Sequence, residues 1–471
     1  MKTPSTLLGR DKELAQLQTL HASAEAKLVV MYGRRRIGKT FLIRSFIEDK
    51  TALYFDGLED GSTEDQLEHV AKQLFAQTRN PLLASFSPRT WQDFFMTLLE
   101  VLSKKKAILV FDELQWLARG RTKFVSVFKS YWDGYFLSRN LTVILCGSIA
   151  HYMVKKVIKS KSLYGRINCE MLVGELEPPF ARKLLGKRGE LEGLQYQLIL
   201  GGVPKYLNEV DQNASFDANI QRLFFSTNSF FWGEIEKIFF AQFKEARVYK
   251  KIIAALADRN LSLGELATIL KLTSGGSLKG YLENLEMASF VRAYKPLANK
   301  RTKEIKYKLV DGYLRFYYQY ISKREKVIAS GQAKSLFIEQ VKPTFQAWLG
   351  LAFEVFLHKN AMWLAERLEF AEKVIEYGPY LINNLSTKSQ IDLAFIRSDK
   401  VITVVEVKFG SGKISTEIIS EVERKVIAIS ESALKHRTVE KVLIVTGPIA
   451  PSVKASQYFH KILGIAELLR V

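Results

Sequence analysis

Eight consecutive residues, Gly33-Arg34-Arg35-Arg36-Ile37-Gly38-Lys39-Thr40, hold the densest chemistry in the chain. Their spacing is G-x-x-x-x-G-K-[ST], a backbone cradle for phosphate followed by a lysine and a hydroxyl. The two glycines permit φ > 0 and let phosphate oxygens approach backbone N–H groups. Lys39 is expected at the β- and γ-phosphates, and the Thr40 hydroxyl is a ligand for Mg²⁺. Arg34, Arg35 and Arg36 lie inside the loop. The sequence leaves open whether they face solvent or add positive field over a triphosphate.

A second set follows the apolar run Ala107–Phe111, which leads directly into Asp112-Glu113. Acids at the end of a buried strand call for a cation or water. Asp112 is expected to hold Mg²⁺, directly or through water, and Glu113 to polarise an attacking water. Ser148, just past the run Leu141–Cys146, is a candidate polar contact to a γ-phosphate. Arg166, in Leu163-Tyr164-Gly165-Arg166, is a candidate to sense or stabilise γ-phosphate charge. A strand-capping serine and a surface arginine account for these two residues equally well.

The third set is near the C-terminus. Glu406 and Lys408 are two apart on the apolar run Val401–Gly410, so both project from one face of a strand. Asp392 starts another apolar run fourteen residues earlier, and Glu354 lies on the apolar helical stretch Leu349–His358. Asp392 and Glu406 are oxygen ligands suited to Mg²⁺ or Mn²⁺. Lys408 is suited to orient water or to stabilise charge growing on phosphorus. The competing reading is a cross-strand salt bridge, Asp392 with Lys408, in a domain without catalytic activity.

The elements that must position these groups are legible. Leu28–Tyr32 reads as a buried strand entering the glycine loop, and Phe41–Ile47 as an amphipathic helix leaving it. Ala52–Phe55, Ala107–Phe111 and Leu141–Cys146 read as further short apolar strands. Helical patterns over Glu64–Gln77 and Trp91–Leu102 alternate with them, which predicts a parallel sheet covered on both faces. After about residue 180 the pattern becomes helical, and the aromatic residues of 216–243 are expected to pack a core. Helices over Val248–Ala257, Leu263–Leu270 and Leu278–Met287 follow, with Ser262 as an N-cap. Two strands, Phe290–Tyr294 and Ile305–Leu309, flank a basic loop that includes Lys300, Arg301 and Lys303. Three helices and a basic hairpin suggest a winged helix, with Lys279 and the loop as phosphate contacts. Packing of that module on a neighbouring domain is the other reading. Residues 323–335 read as a polar linker.

Composition bounds the rest. At 471 residues the chain needs several cores, and 47% hydrophobic content supplies them. The net charge of +20 favours a polyanionic partner, DNA or RNA. Two cysteines exclude a disulfide framework or a four-cysteine metal site and fit a reducing compartment. Neither a signal peptide nor a membrane span is legible, so a cytoplasmic protein is expected.

Leu8-Gly9-Arg10, the Gly33–Thr40 loop, Phe111-Asp112-Glu113-Leu114-Gln115, Gly147-Ser148, Leu163–Arg166 and Gly201-Gly202-Val203-Pro204-Lys205-Tyr206-Leu207 together resemble the archaeal-type AAA-related ATPases, close to the STAND regulatory ATPases. The resemblance implies ATP rather than GTP, with Gly9-Arg10 near the adenine and Gly202-Val203-Pro204 beginning or lining a helical lid. Asp392, Glu406-x-Lys408 and Glu354 resemble the hairpin and helix of the PD-(D/E)XK nuclease fold, with Ile391-Asp392 where Pro-Asp is usual. The expected fold class is α/β. A P-loop ATPase domain spans 1–180, a helical lid 181–244, a winged helix 245–322 and a restriction-endonuclease-like domain 340–471. The expected function is an ATP-hydrolysing protein that couples nucleotide state to nucleic-acid binding or metal-dependent cleavage, with self-association compatible. The alternative is an ATP-controlled switch whose nuclease-like domain only binds.

Overall fold

The computed structural model describes residues 7–102, 105–118, 124–243, 245–272, 275–297, 305–383, 388–430 and 436–470. The chain divides into two compact units, Met1–Leu176 and Glu177–Val471.

In the first unit, the apolar runs form strands β1 (Lys27–Tyr32), β2 (Ala52–Asp56), β3 (Ala107–Asp112) and β4 (Leu141–Gly147). A fifth, β5 (Cys169–Leu172), was not legible, because it is short and alternates buried with exposed residues. All pairings are parallel, in the order β2-β3-β4-β1-β5. Alternation along each strand feeds two cores. Leu28, Val30, Leu109 and Phe111 join an aromatic cluster with Phe94, Phe95, Phe124 and Phe128. Val29, Met31, Ile108 and Val110 turn to the other face, with Leu17, Ile43 and Phe46. Two flanking helices, Thr63–Thr78 and Trp91–Val101, start with reciprocal capping boxes from Ser62 and Thr90.

The second unit begins with helices. Phe224, Phe225, Phe231, Phe239 and Phe243 are buried there, as expected of a core, whereas Phe240 is 80% exposed. Helices Ala246–Ala257, Leu263–Leu270 and Gly276–Met287 follow, the second capped by Ser262 and Glu265. They accompany an antiparallel sheet of β6 (Leu261–Ser262), β7 (Val291–Tyr294) and β8 (Lys306–Leu309), in the order β6-β8-β7. Residues 323–335, expected as a polar linker, instead include the helical turns Ser322–Arg324 and Glu325–Ala329. Buried Ile328 and Ala333 anchor this stretch. The last sheet is mixed. Strands β9 (Val374–Asn383), β10 (Lys388–Arg397) and β11 (Val401–Lys408) are antiparallel, and β12 (Thr438–Val445) and β13 (Lys461–Gly464) add in parallel to β11. Helix Lys342–Lys359 packs on β10 and β11. No helix among the described residues is long and apolar enough to cross a membrane.

Candidate functional site

The strand order of the first unit brings three strand ends together. β4 lies between β1 and β3, so the loop after β1, the acids after β3 and Ser148 after β4 all reach one edge of the sheet. Gly33 is required by close approach, since a Cβ there would lie 2.2 Å from the Val173 carbonyl oxygen. Gly38, at φ 93°, turns the chain into helix Lys39–Ile47. Arg36 is also left-handed, at φ 73°, a conformation that costs an ordinary residue roughly 1–2 kcal/mol. The buried Lys39 donates to the carbonyls of Gly33 (2.9 Å) and Arg34 (3.0 Å), which holds the loop curved around its ammonium.

Asp112 is the hub. Its Oδ2 accepts from the Thr40 hydroxyl at 2.7 Å and from the Tyr54 hydroxyl at 2.7 Å, and its Oδ1 accepts from the Glu113 N–H at 2.8 Å. Asp112 is only 2% exposed, so its oxygens are desolvated and aimed. Glu113 takes a left-handed backbone, φ 49°, which re-aims its side chain away from the strand line. The Ser148 hydroxyl donates to Glu113 Oε2 at 2.6 Å, and Gln115 bonds both of them. Thr40 and Asp112 form an oxygen pair that fits Mg²⁺ beside a phosphate cradle.

Two residues bond here without having been assigned from sequence. Tyr54 and Gln115 lie within apolar runs, where a hydroxyl or an amide looks incidental. Arg10, expected near adenine, reaches the Ile37 carbonyl (3.1 Å) and the Gly174 carbonyl (2.7 Å) while paired with Glu13 (3.0 Å). It therefore braces the phosphate loop. Arg34 is buried against Glu175 at 3.4 Å, and Arg35 pairs with Glu59 at 3.1 Å.

Arg166 requires a correction. It precedes β5 at the start of β1, where the Asn168 N–H donates to the Leu28 carbonyl. The phosphate loop lies at the other end of β1, roughly 15 Å away at the usual rise per residue. The guanidinium is instead held by both carboxylate oxygens of Asp133, at 2.7 and 2.8 Å. Arg166 does not meet the phosphate loop of its own chain.

In the second unit, the β10–β11 register pairs Leu393 with Val405, so one step further sets Asp392 opposite Glu406 on one face. The pairing of β10 with β9 shifts between Ile391 and Ala394, a bulge beside Asp392. Asp392 accepts from the Val407 N–H at 3.1 Å. Glu406, 1% exposed, is held by Lys425 at 2.7 Å and Lys408 at 3.1 Å. Lys408 also bonds both oxygens of Glu421 at 2.9 Å. The cross-strand bridge imagined between Asp392 and Lys408 is therefore replaced by pairs to Glu406 and Glu421. Glu421 and Lys425 were missed; their i, i+4 spacing on helix Glu417–Ser430 was the available signal. Burial raises the Asp392 carboxyl, with Glu354 adding to it, up to about 6. Burial also raises Glu354 and Glu406. Among the described residues, no three His, Cys, Asp or Glu side chains are arranged to hold a metal ion. The Glu406 oxygens expected to meet Mg²⁺ or Mn²⁺ meet Lys425 and Lys408 instead.

Lys300, Arg301 and Lys303 lie outside the described residues. Lys306 pairs with Glu265 at 2.7 Å, and Arg292 on β7 donates to the carbonyls of His358 (2.8 Å) and Lys359 (3.2 Å). The hairpin thus packs on helix Lys342–Lys359. Lys279 is exposed on the third helix of the module.

A parallel sheet with a phosphate cradle after β1 and an acid pair after the strand next but one defines the first unit as a P-loop ATPase core. Comparison with known proteins carries this further. Residues 7–210 match an ATPase domain family described as predominantly from Archaea. Residues 317–427 match a family of archaeal and bacterial proteins of unknown function. An uncharacterized protein of Methanocaldococcus jannaschii, MJECL04, is 27% identical over 406 residues, covering 85% of this chain and 87% of that protein. The uncharacterized ATP-binding protein MJ0423 of the same organism is 44% identical over 43 residues, 9% of this chain and 73% of that protein. Among solved structures, the Walker-type ATPase PABY2304 of Pyrococcus abyssi aligns with TM-score 0.52 at 21% identity. It spans 68% of this chain and 99% of its own, a likeness of fold.

Proposed function

We propose that the protein binds and hydrolyses ATP at the Gly33–Thr40 loop and uses the nucleotide state to control contacts made by its second unit with nucleic acid. The observation that carries the ATP site is the Thr40–Asp112 hydrogen bond of 2.7 Å, which ties the phosphate loop to the acid pair. Lys39 leaves the Gly33 and Arg34 carbonyls to meet β- and γ-phosphate oxygens, and backbone N–H groups of the loop and helix Lys39–Ile47 bind the phosphates. Thr40 and Asp112 would hold Mg²⁺, which neutralises charge on the β- and γ-oxygens. Glu113 accepts a proton from the attacking water. Ser148 and Gln115 hold Glu113 back from that role until phosphate draws the Ser148 hydroxyl away. Full-length protein should hydrolyse ATP, and Lys39→Ala should abolish it; unchanged turnover in that variant overturns the assignment.

Arg166 enters this scheme through a second copy, because its place before β5 suits a neighbour's γ-phosphate rather than its own. Mixing Arg166→Ala with Lys39→Ala protein tests this, since only a shared site regains activity.

The reading of 181–244 as a helical lid, 245–322 as a winged helix and 340–471 as a PD-(D/E)XK-like domain rests on element order. Three helices with a three-stranded sheet support the winged helix, and Asp392 opposite Glu406 beside Glu354 supports the nuclease-like fold. The net charge of +20 supports DNA or RNA as partner. Lys279→Ala, or Lys300→Ala with Arg301→Ala, should flatten the salt dependence of DNA binding if the module meets phosphate. A second reading is favoured by the Lys425–Glu406 pair: the C-terminal domain binds without cutting. Metal-dependent cleavage lost in Asp392→Ala separates the two.

A further inference from the structure

Of the C-terminal carboxylates, Glu406 is buried, and Glu354 and Asp392 are half-buried. Glu354 and Asp392 line a small cavity of about 50 Å³ together with His358, Tyr294 and Lys308. That is room for a water molecule or a bare ion, not for a nucleotide. Three separate elements build it: helix Lys342–Lys359 contributes Glu354 and His358, β10 contributes Asp392, and the hairpin contributes Tyr294 and Lys308. His358 is 2% exposed, and its Nδ1 has no hydrogen-bond partner among the described residues. Burial, with Lys308 and Arg292 adding to it, pushes this imidazole down to about 3, so it is neutral and offers a lone pair.

Acids and bases meet in and around the cavity, with Arg292 beside His358. Glu354, Asp392, Glu406 and Glu421 face Lys308, Arg315, Lys408 and Lys425. Lys408 and Lys425 are fixed in ion pairs. Among the described residues the Lys308 ammonium makes no ion pair; it faces Glu354 and Asp392 across the cavity. A divalent cation on the same acids would add two charges beside an ammonium that water does not screen well.

We propose that Lys308 is a built-in counter-ion that takes the electrostatic place of a divalent cation, so the hairpin of β7 and β8 keeps the carboxylate site closed to metal. The proposal rests on the reading of Asp392 and Glu406 as metal-capable. The Arg292 bonds to the His358 and Lys359 carbonyls hold the hairpin in place on the helix that carries Glu354. Withdrawing the hairpin removes Lys308 from Glu354 and Asp392 in one movement.

The test is Mn²⁺ binding by nucleotide-free, full-length protein, followed by electron paramagnetic resonance. The chains compared are wild type, Lys308→Met, Lys308→Gln, Asp392→Asn and Lys308→Met with Asp392→Asn. Thermal melts in EDTA confirm that each chain folds. The proposal expects weak binding in the wild type, at least tenfold tighter binding in a folded Lys308 variant, and loss of that gain in the double variant. Arg292→Ala, which leaves Lys308, Glu354 and Asp392 in place, should give a smaller gain. Equal binding by wild type and both Lys308 variants, lost in Asp392→Asn, overturns the counter-ion while leaving the metal-capable acids intact. A gain that survives Asp392→Asn, or no Mn²⁺ binding in any chain, overturns both.

Discussion

The two acidic centres solve opposite problems with similar residues. Asp112 is buried, yet every contact described for it is a neutral donor: the Thr40 and Tyr54 hydroxyls and a backbone N–H. Its charge stays available to a cation. Glu406 is equally buried but spends its charge on Lys425 and Lys408. One centre is held ready for a metal–phosphate ligand; the other is satisfied without one. A buried carboxylate therefore marks a ligand site only when its partners are neutral, because a paired lysine already supplies what a metal would bring.

The largest effect that could break this comparison comes from the first centre. Glu113→Gln should lower ATP turnover by about 10²–10⁴-fold, the range for losing a positioned base, while ATP binding persists in equilibrium dialysis. The melting temperature of that variant should barely move. Glu406→Ala should do the reverse. Removing one partner of a buried pair costs about 3–5 kcal/mol, so the melt should drop while ATP turnover survives. Equal melting temperatures for wild type and Glu406→Ala would contradict the picture of a charge-satisfied cluster. Tyr54→Phe sharpens the contrast on a smaller scale. It deletes one hydrogen bond to a charged acceptor, worth about 1.5–3 kcal/mol, and should weaken ATP·Mg²⁺ binding by roughly tenfold or more in titration calorimetry.

The smallest effect is at the exposed Asp133–Arg166 pair, which lies away from both centres of its own chain. The Arg166 guanidinium holds the Asp133 carboxyl down to about 2. A carboxylate depressed on folding contributes stability above its unfolded pKa of about 3.9, and that contribution is lost as pH falls toward 2. Solvent screening keeps it below about 1 kcal/mol. Asp133→Asn should lower the melt slightly at pH 6 and not at all near pH 2.

The phosphate loop was legible because it is contiguous: eight residues carry the cradle, the lysine and the hydroxyl, and their flanking runs announce a strand and a helix. Glu354, Asp392, Glu406 and Lys408 were each found, because charges on apolar runs stand out. Their partners were not. Lys308 belongs to a hairpin whose lysines read as a surface for phosphate, and only its packing turns it inward. That Arg166 lies away from its own chain's phosphate loop was not legible for a related reason, since proximity in sequence to a glycine turn does not say which end of a strand it occupies. β5 escaped because a four-residue strand with alternating exposure resembles a loop.

What the sequence determined by itself is local: the loop that binds phosphate, the acids that end strands, the capped helices and the alternation that feeds two cores. These follow from backbone geometry and side-chain period within a few residues. Strand order was decided only in three dimensions. Placing β4 between β1 and β3 brings Ser148 to Glu113 and carries Arg166 to the far edge. The state of the second centre was decided there as well. Whether a buried acid is open to a cation depends on which lysine the fold delivers to it, and Lys308 and Lys425 come from segments that no spacing rule connects to Asp392 or Glu406.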